Sequence, residues 1–464
     1  MSQHRYIIHQ IIATIDLSKH SSPHMAGKKI LILGSGRAAK PCVEYLLRNP
    51  ENTVMVASHT RPTAEALVEG HANASALVLE VKWGSANLEA AIADHDIVVS
   101  LVPIDCRSTV IDLAILTETN LVTATYISRD NEKYESLARS AGVTLLSEVG
   151  INPGIDHPHA AKVIDEVHSK GGKVREFYSY CGALPAPASS NNPLRFQSQW
   201  NLADYLENSE VNLVDWSWTA SEEPYHFIEG YAFKAYPNRD PIPYQDFYQI
   251  PEAHAVIRSS LRYKGNPALV KALFDLHWLN PYPQGWLVPG KTWAQLQQQA
   301  TKAATDSEKD LVAQVDAICN FPDPKTRTAV LDGLRWIGLF SKQMADVRKS
   351  PLDTLSARLA DICSSTQEER LLFMLQHKFV VEWPDKTKET ITSTLELQDG
   401  PHEHSGMERV VGVTCGIATQ LLLDGHPAIA RPGVIVPYAK DVCDPIREKL
   451  EPEGVKLVAK STRG

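Results

Sequence analysis

From Lys28 onward, short runs of β-branched and other apolar residues recur at residues 30–33, 54–57, 77–81, 97–102, 121–125 and 143–146. Each run is almost continuously apolar, the pattern of parallel strands buried on both faces. The stretches between them are long enough for crossover helices; residues 41–48, for example, place Val43, Leu46 and Leu47 on one stripe. Strands alternating with helices imply βαβ units. The fold class expected is therefore α/β, with a six-stranded Rossmann-type, doubly wound parallel sheet over residues 28–157.

The alternation stops after residue 157. Gly171-Gly172 precede an alternating run at 173–181 that reads as a strand ending in Gly182-Ala183-Leu184-Pro185-Ala186-Pro187. Short strands are expected at 216–218, 231–236 and 258–263. Residues 267–372 read as helical, with 3.6-period stripes at 268–279, 293–304, 308–319, 328–339 and 352–363. A hairpin is expected from 373–383 and 389–397 around Pro384-Asp385-Lys386, then an amphipathic helix at 407–423 and a final helix. The domains predicted are a nucleotide domain (28–157, with 424–460 packing back on it), a mixed α/β substrate domain (158–266 and 373–423) and an all-helical insertion (267–372). Residues 1–27 form an N-terminal extension. Met25 looks like a natural start, and residues 1–24, with one Arg and no acid before Asp16, loosely resemble a mitochondrial presequence.

Composition narrows the class. The 464 residues are 43% hydrophobic and 22% charged, as in an ordinary globular protein. Lys and Arg number 46 against 55 Asp and Glu, and the net charge of −9 is a poor footprint for nucleic acid or anionic lipid. No apolar run approaches the roughly 18–20 residues of a membrane span. The cysteines at 42, 106, 181, 319, 363, 415 and 443 are odd in number and contain no C-x-x-C pair. That spacing suits reduced thiols in a cytoplasmic protein and offers no disulfide framework or metal site.

The turn after the first strand carries chemistry. Gly34-Ser35-Gly36-Arg37-Ala38-Ala39 reads G-x-G-x-x-A at a strand–turn–helix junction. Gly34 allows the tight turn, Gly36 lets a pyrophosphate approach the backbone, and the helix N-terminus favours the anion. After the second strand comes Ser58-His59-Thr60-Arg61, with no carboxylate to bind a ribose 2′-hydroxyl. Hydroxyls with His59 and Arg61 suit a 2′-phosphate, so NADP(H) is expected rather than NAD.

Longer motifs add a family. ILGSG leading to Pro41, HDIVVSLVP (95–103), EVGINPGIDH (148–157), YCGALPAP (180–187), AYPNRD (235–240), YQIPEA (248–253), LRYKG (261–265) and MLQHKF (374–379) span residues 28 to about 457. In these the sequence resembles the fungal saccharopine reductases, the glutamate-forming, NADP-dependent saccharopine dehydrogenases. The resemblance implies a homodimer contact made by the α/β domain. It also implies small amino-acid substrates: glutamate condenses with 2-aminoadipate 6-semialdehyde, and NADPH reduces the resulting imine to saccharopine in lysine biosynthesis. By the same resemblance Glu80, Val81, Val102, Thr125 and Tyr126 join the nucleotide contacts. Cys181 and Tyr126 become the catalytic candidates, the thiol as a proton relay if its surroundings lower its pKa. Asn152, Arg239, Ser259, Ser260, Leu261, Arg262 and Arg107 become the substrate candidates. Arg239 is the principal carboxylate fork, and Arg258 and Arg262 are secondary clamps. His157 and His377 are assigned no catalytic role.

Four positions depart from the family pattern: His59 for an Arg, Glu80 for an Asp, Ile104-Asp105-Cys106-Arg107 for a Tyr-Thr-Phe-His-like run, and Asn152 for a substrate-binding Asp. A neutral Asn hydrogen-bonds an ammonium without charge assistance. Two other readings therefore stand beside the first: an opine-type imine reductase joining a different amino acid and carbonyl compound, and a non-catalytic NADP-binding regulator.

Overall fold

The computed structural model describes residues 27–463 apart from 127–130, 198–232, 238–242, 364–369 and 399–405. Its first sheet is built from β1 (Lys29–Leu33), β2 (Thr53–Ser58), β3 (Ala74–Val78), β4 (Ile97–Ser100), β5 (Asn120–Thr123) and β6 (Thr144–Leu146). All are parallel, and β1 lies centrally, with Ile30 facing Val54 on one side and Ile97 on the other. The order β3-β2-β1-β4-β5-β6 puts the reversal of winding between β1 and β4, the place where open α/β sheets bind ligands. β3 forms three residues earlier than its apolar run predicts. It is an edge strand whose residues are only partly buried, so small and polar Ala74, Ser75 and Ala76 serve as well as Leu77 and Val78.

The second sheet contains β7 (Lys173–Pro185), β8 (Phe233–Pro237), β9 (Ala255–Tyr263), β10 (Leu371–Glu382) and β11 (Lys388–Gln398). β7 is paired antiparallel to β10 and parallel to β9. In register, Ser179 stands beside Arg258 and His377, and Cys181 beside Ser260 and Leu375. Side chains alternate across a strand, so these six share one face. The opposite face packs Tyr180, Leu184, Leu261, Tyr263 and Met374 together.

The last two strands divide between the sheets: β12 (Gly433–Ile435) runs parallel to β6 as a seventh strand, and β13 (Val458–Arg463) pairs with β11. Neither has an apolar run long enough to announce itself. The helices Asn266–Asp275, Trp293–Thr301, Glu308–Ile318, Pro324–Ile337 and Pro351–Ile362 enclose a separate core around Trp278, Leu296 and Leu334. Of the expected aromatic strands, 216–218 lies outside the described residues. No helix among the described residues is long and apolar enough to cross a membrane.

The helix Gly406–Leu423, expected in the substrate domain, instead packs on the first helix of the nucleotide domain, Ala39–Leu46. Its apolar stripe buries Val410, Val413, Ile417 and Leu421 in one core with Val43, Leu46 and the inner face of β1. Gly412 allows the two helices to approach: a Cβ there would collide with the Ala38 carbonyl oxygen and lie 2.9 Å from Cys42 N. Backbone cannot swing aside as a flexible side chain can. Gly412→Ala is expected to lower stability by about 1–3 kcal/mol despite alanine's better helix propensity. Gly285→Ala, where nothing lies within 4 Å of the new methyl, should stay within about 0.5 kcal/mol of wild type in the same denaturant titration.

Candidate active site

The phosphate turn follows β1. Gly34 has φ +108°, and a Cβ on it would lie 2.8 Å from the Leu101 carbonyl oxygen, just before Val102, so only glycine fits where β1 and β4 end together. Gly36 has open space where its Cβ would stand. Ala38 precedes the first helical turn, whose free N–H groups point at the same space. Ser35 Oγ donates to Ser58 Oγ at 2.8 Å and lies 2.7 Å from Thr63 Oγ1, while Thr60 N also donates to Ser58 Oγ. His59 is exposed beside them, and exposed Arg61 has, among the described residues, an i,i+4 pairing with Glu65 and no other ion pair. An exposed pair of this kind is weak, which leaves the guanidinium available to a phosphate. Arg37 reaches Glu408 at 3.2 Å on the Gly406–Leu423 helix. The open cradle, hydroxyl cluster and flanking cations fit NADP(H).

At the carboxyl ends of β5 and β6 the chain meets the second sheet. Arg258 is only 1% exposed and directs its guanidinium inward. Nη2 lies 2.7 Å from Asp156 Oδ2 and donates to Asn152 Oδ1 at 2.8 Å, while Nη1 donates to the Tyr248 hydroxyl at 3.4 Å. The Tyr244 ring covers the guanidinium at 4.2 Å. Burial pushes the Asp156 carboxyl up, but His157, Arg258, His377 and the Gly154 N–H outweigh it and hold the group below its ordinary 3.8.

The remaining hydrogen-bond directions follow from arginine's having donors only. Because Tyr248 accepts from Arg258, its own proton is directed at His157 Nδ1, 2.7 Å away. His157 then donates from Nε2 to Glu148 Oε2 at 3.1 Å, which also accepts from the Tyr438 hydroxyl at 2.8 Å. This donor order assigns the His157 tautomer. Glu148 sits at φ +59°, uncommon for a residue with a Cβ, in the bend leading from β6 to this network.

Tyr126, three residues beyond β5, shares a side-chain hydrogen bond with Tyr244, and its carbonyl accepts from Arg107 Nη1. Thr125 and Thr123 hydroxyls are 3.2 Å apart at the same strand end. Glu80 lies exposed beyond β3, and the Val81 carbonyl faces Cys106 Sγ at 3.9 Å. Thus Asn152 and Tyr126, the latter with Arg107 on its carbonyl, approach Arg258 from the nucleotide side, and Cys181, Ser260 and Arg262 line the facing sheet.

Several expectations change. Arg258, expected as a secondary clamp, is bound within the protein: Nη2 meets Asp156 and Asn152, and Nη1 meets the Tyr248 hydroxyl. The substrate segment 259–261 lies in an interior strand, as expected, but its alternation turns Ser259 and Leu261 away from Cys181, toward the core of Tyr180 and Phe233. The Cys181 thiol is not acidified. Burial and then Asp156 push it up to about 12, and Arg258 and Arg262 pull back too weakly to reverse this. Arg239 lies outside the described residues. The sequence reading missed Glu148, Asp156, Tyr244, Tyr248 and Tyr438. The first two stand in EVGINPGIDH, where an acid preceding an Asp-His pair was the available signal.

Residues 30–146 match the saccharopine dehydrogenase NADP binding domain, and residues 150–455 match the saccharopine dehydrogenase C-terminal domain. The chain is 39% identical to the NADP(+), L-glutamate-forming saccharopine dehydrogenase of Schizosaccharomyces pombe over 92% of this chain and 98% of that protein. The chain belongs to the saccharopine dehydrogenase family. The apo L-Glu-forming saccharopine dehydrogenase structure from Saccharomyces cerevisiae shares the fold, with a TM-score of 0.83 and 39% identity over 94% of this chain and 100% of that one. The mitochondrial alpha-aminoadipic semialdehyde synthase of Bos taurus is 31% identical over 94% of this chain but only 48% of its own length.

A carboxyl held below its usual pKa stabilises the fold above the unfolded value and loses that contribution as pH falls through the folded one. Asp156→Asn, which leaves Arg258 buried with no counter-charge, is expected to cost about 3–5 kcal/mol at pH 7. As pH falls below the ordinary carboxylate value of 3.8 and on through the lower folded one, the gap to wild type should narrow. Melting temperatures measured from pH 7 down to about pH 3 check both.

Proposed function

We propose that this chain catalyses the NADPH-dependent condensation of glutamate with 2-aminoadipate 6-semialdehyde to saccharopine, a step of lysine biosynthesis. The observation that carries the reading is end-to-end similarity, at 39% identity, to two fungal enzymes named for that reaction. Glutamate's amine adds to the aldehyde and water leaves, giving an imine. Reduction then consumes one hydride and one proton per C=N bond. When bound, NADPH supplies the hydride.

The chain's own residues do the rest. The turn from Gly34 to Ala38 holds the diphosphate, and Ser58, His59, Thr60 and Arg61 hold the 2′-phosphate. Glu80, Val81, Val102 and Thr125 flank the rest of the nucleotide. Tyr126, pinned by Arg107 at its carbonyl and Tyr244 at its hydroxyl, closes the mouth between nucleotide and substrate. Cys181 keeps its proton on Sγ, so it serves as a hydrogen-bond donor toward the substrate and not as a base. Arg262, two residues from Ser260, takes one substrate carboxylate, and by the family resemblance Arg239 takes the other. A homodimer and a cytoplasmic location complete the reading and rest on the family resemblance.

NADPH oxidation with glutamate plus the semialdehyde, run beside NADH, tests the proposal; no turnover of this pair sinks it. Arg61→Ala should raise the KM for NADPH by about tenfold, the loss expected for one charge-assisted contact, and leave that for NADH unchanged.

A second reading is favoured by Asn152. Its Oδ1 is committed to Arg258, which fixes the amide so that Nδ2 has donor hydrogens and no partner among the described residues. A donor aimed this way suits a carbonyl or carboxylate and repels an ammonium, which points to an imine reductase with a different substrate pair. Asn152→Asp is the discriminating variant. A rise of about tenfold or more in kcat/KM for the semialdehyde over its des-amino analogue 6-oxohexanoate supports this second reading, and an unchanged ratio removes it.

A further inference from the structure

A single row of polar side chains crosses the second sheet. Arg258 on β9, Ser179 on β7, His377 on β10 and Ser393 on β11 stand opposite one another in register, so all four share one face. They are 1%, 0%, 0% and 4% exposed. Phe177 and Phe379 flank Ser179 and His377 on one side of the row, and Cys181 and Leu375 flank them on the other. The same two phenylalanines pack on Val163 and Val167, so the helix Asp156–Ser169 covers the row. That helix adds Asp156 and His159, three residues apart and therefore neighbours on its surface. One end of this seam is the Arg258–Asp156 pair. At the other, His159 and Ser393 line a cavity of about 630 Å³ that also touches β13.

A second observation is independent of the register. Ser179 Oγ, both ring nitrogens of His377 and Nε2 of His159 are buried and have no hydrogen-bond partner among the described residues. Direct cross-strand neighbours such as Ser179 and His377 hold their Cβ atoms about 4.5–5.5 Å apart, close enough for one water to bridge side chains that do not bond each other. Native interiors rarely leave such atoms unmatched, and buried waters are their usual partners. Burial keeps the His377 ring neutral, pushing its pKa down to about 3 against the pull of Asp156. A neutral imidazole has one donor and one acceptor nitrogen, and a hydroxyl is both, so these groups can hold waters in a line without adding charge.

We propose that the seam holds a chain of ordered waters that brings protons from the cavity to the cleft, with His377 and Ser179 as the positioning residues. A proton enters at the cavity as another leaves at the Arg258–Asp156 end, and the seam itself is unchanged. When hydride adds to the imine carbon, the C=N π pair moves to nitrogen and binds that proton. This use of the seam rests on the reductase reading of the cleft; the water sites do not.

A crystal structure of the full chain tests the waters, which are expected within hydrogen-bond reach of Ser179 Oγ and a His377 nitrogen. A dry seam overturns the proposal. His377→Phe replaces the ring with an apolar one between Phe177 and Phe379. It should keep the melting temperature and the KM values, lower kcat about tenfold and enlarge the solvent deuterium isotope effect on kcat. His377→Gln, which retains a donor and an acceptor, should restore most of kcat. Wild-type kcat and isotope effect in the Phe variant overturn the proposal, as does a Gln variant no better than Phe. Where His377→Phe fails to fold, Ser393→Val at the cavity end decides by the same two readouts. No turnover by the wild type counts against the reading of the cleft alone, and the waters then decide the seam.

Discussion

The cleft is organised by a buried ion pair, Arg258 with Asp156, and neither group reaches solvent to any useful extent. Removing two such charges from water costs several kcal/mol per ion, and only close contact with further hydrogen bonds offsets it. Those further bonds are the structure of the site. Asn152, Tyr248 and the Tyr244 ring surround the guanidinium, and through Tyr248 the order of donors runs to His157, Glu148 and Tyr438. One pair therefore ties together the bend after β6, strand β9, the short helix Pro243–Phe247 that carries Tyr244, and the C-terminal segment carrying Tyr438. The cleft floor is built before any ligand arrives.

On the nucleotide side the constraint is steric rather than electrostatic. The helix Gly406–Leu423 presses on Ala38 and Cys42 through Gly412, and its Glu408 holds Arg37. Residues some 370 positions apart in sequence thus support one phosphate turn. The two ends of the chain must both be in place before that turn is rigid, so the nucleotide site depends on long-range closure and not on the βαβ unit alone.

This dependence marks where sequence reading succeeds and where it stops. The strands β1, β2, β4, β5 and β6 were legible because burial on both faces writes itself as continuous apolar runs. β3 was displaced because an edge strand needs no such run, and β12 and β13 were invisible because three residues and an exposed polar edge carry no period. The helix at 406–423 was legible as a helix, but its partner was not, since the decisive feature is a missing Cβ at Gly412 that matters only against the Ala38 carbonyl. At the site, Gly34, Ser58 and Arg61 could be read from the chemistry of phosphates. Ser259 and Leu261 could not be separated from Ser260 until the strand's period assigned faces. Cys181 could be found but not understood, because burial, which decides its proton, is a property of the folded sheet.

The burial of Arg258 in its pair has a consequence for substrate recognition. A guanidinium has five donors, and recruiting this one for a substrate carboxylate would break a buried pair at about 3–5 kcal/mol. A new charged hydrogen bond returns only about 1.5–3 kcal/mol, so the exchange is unfavourable. Breaking the pair is therefore a costly way to bind a substrate carboxylate. On the same face of the sheet, two residues from Ser260, Arg262 donates from Nη1 to the Leu261 carbonyl at 2.6 Å. Cys181, influenced by both Arg258 and Arg262, still retains its proton because burial outweighs them. The facing sheet thus carries Arg258 locked in its buried pair, with Arg262 and a protonated Cys181 on the same face.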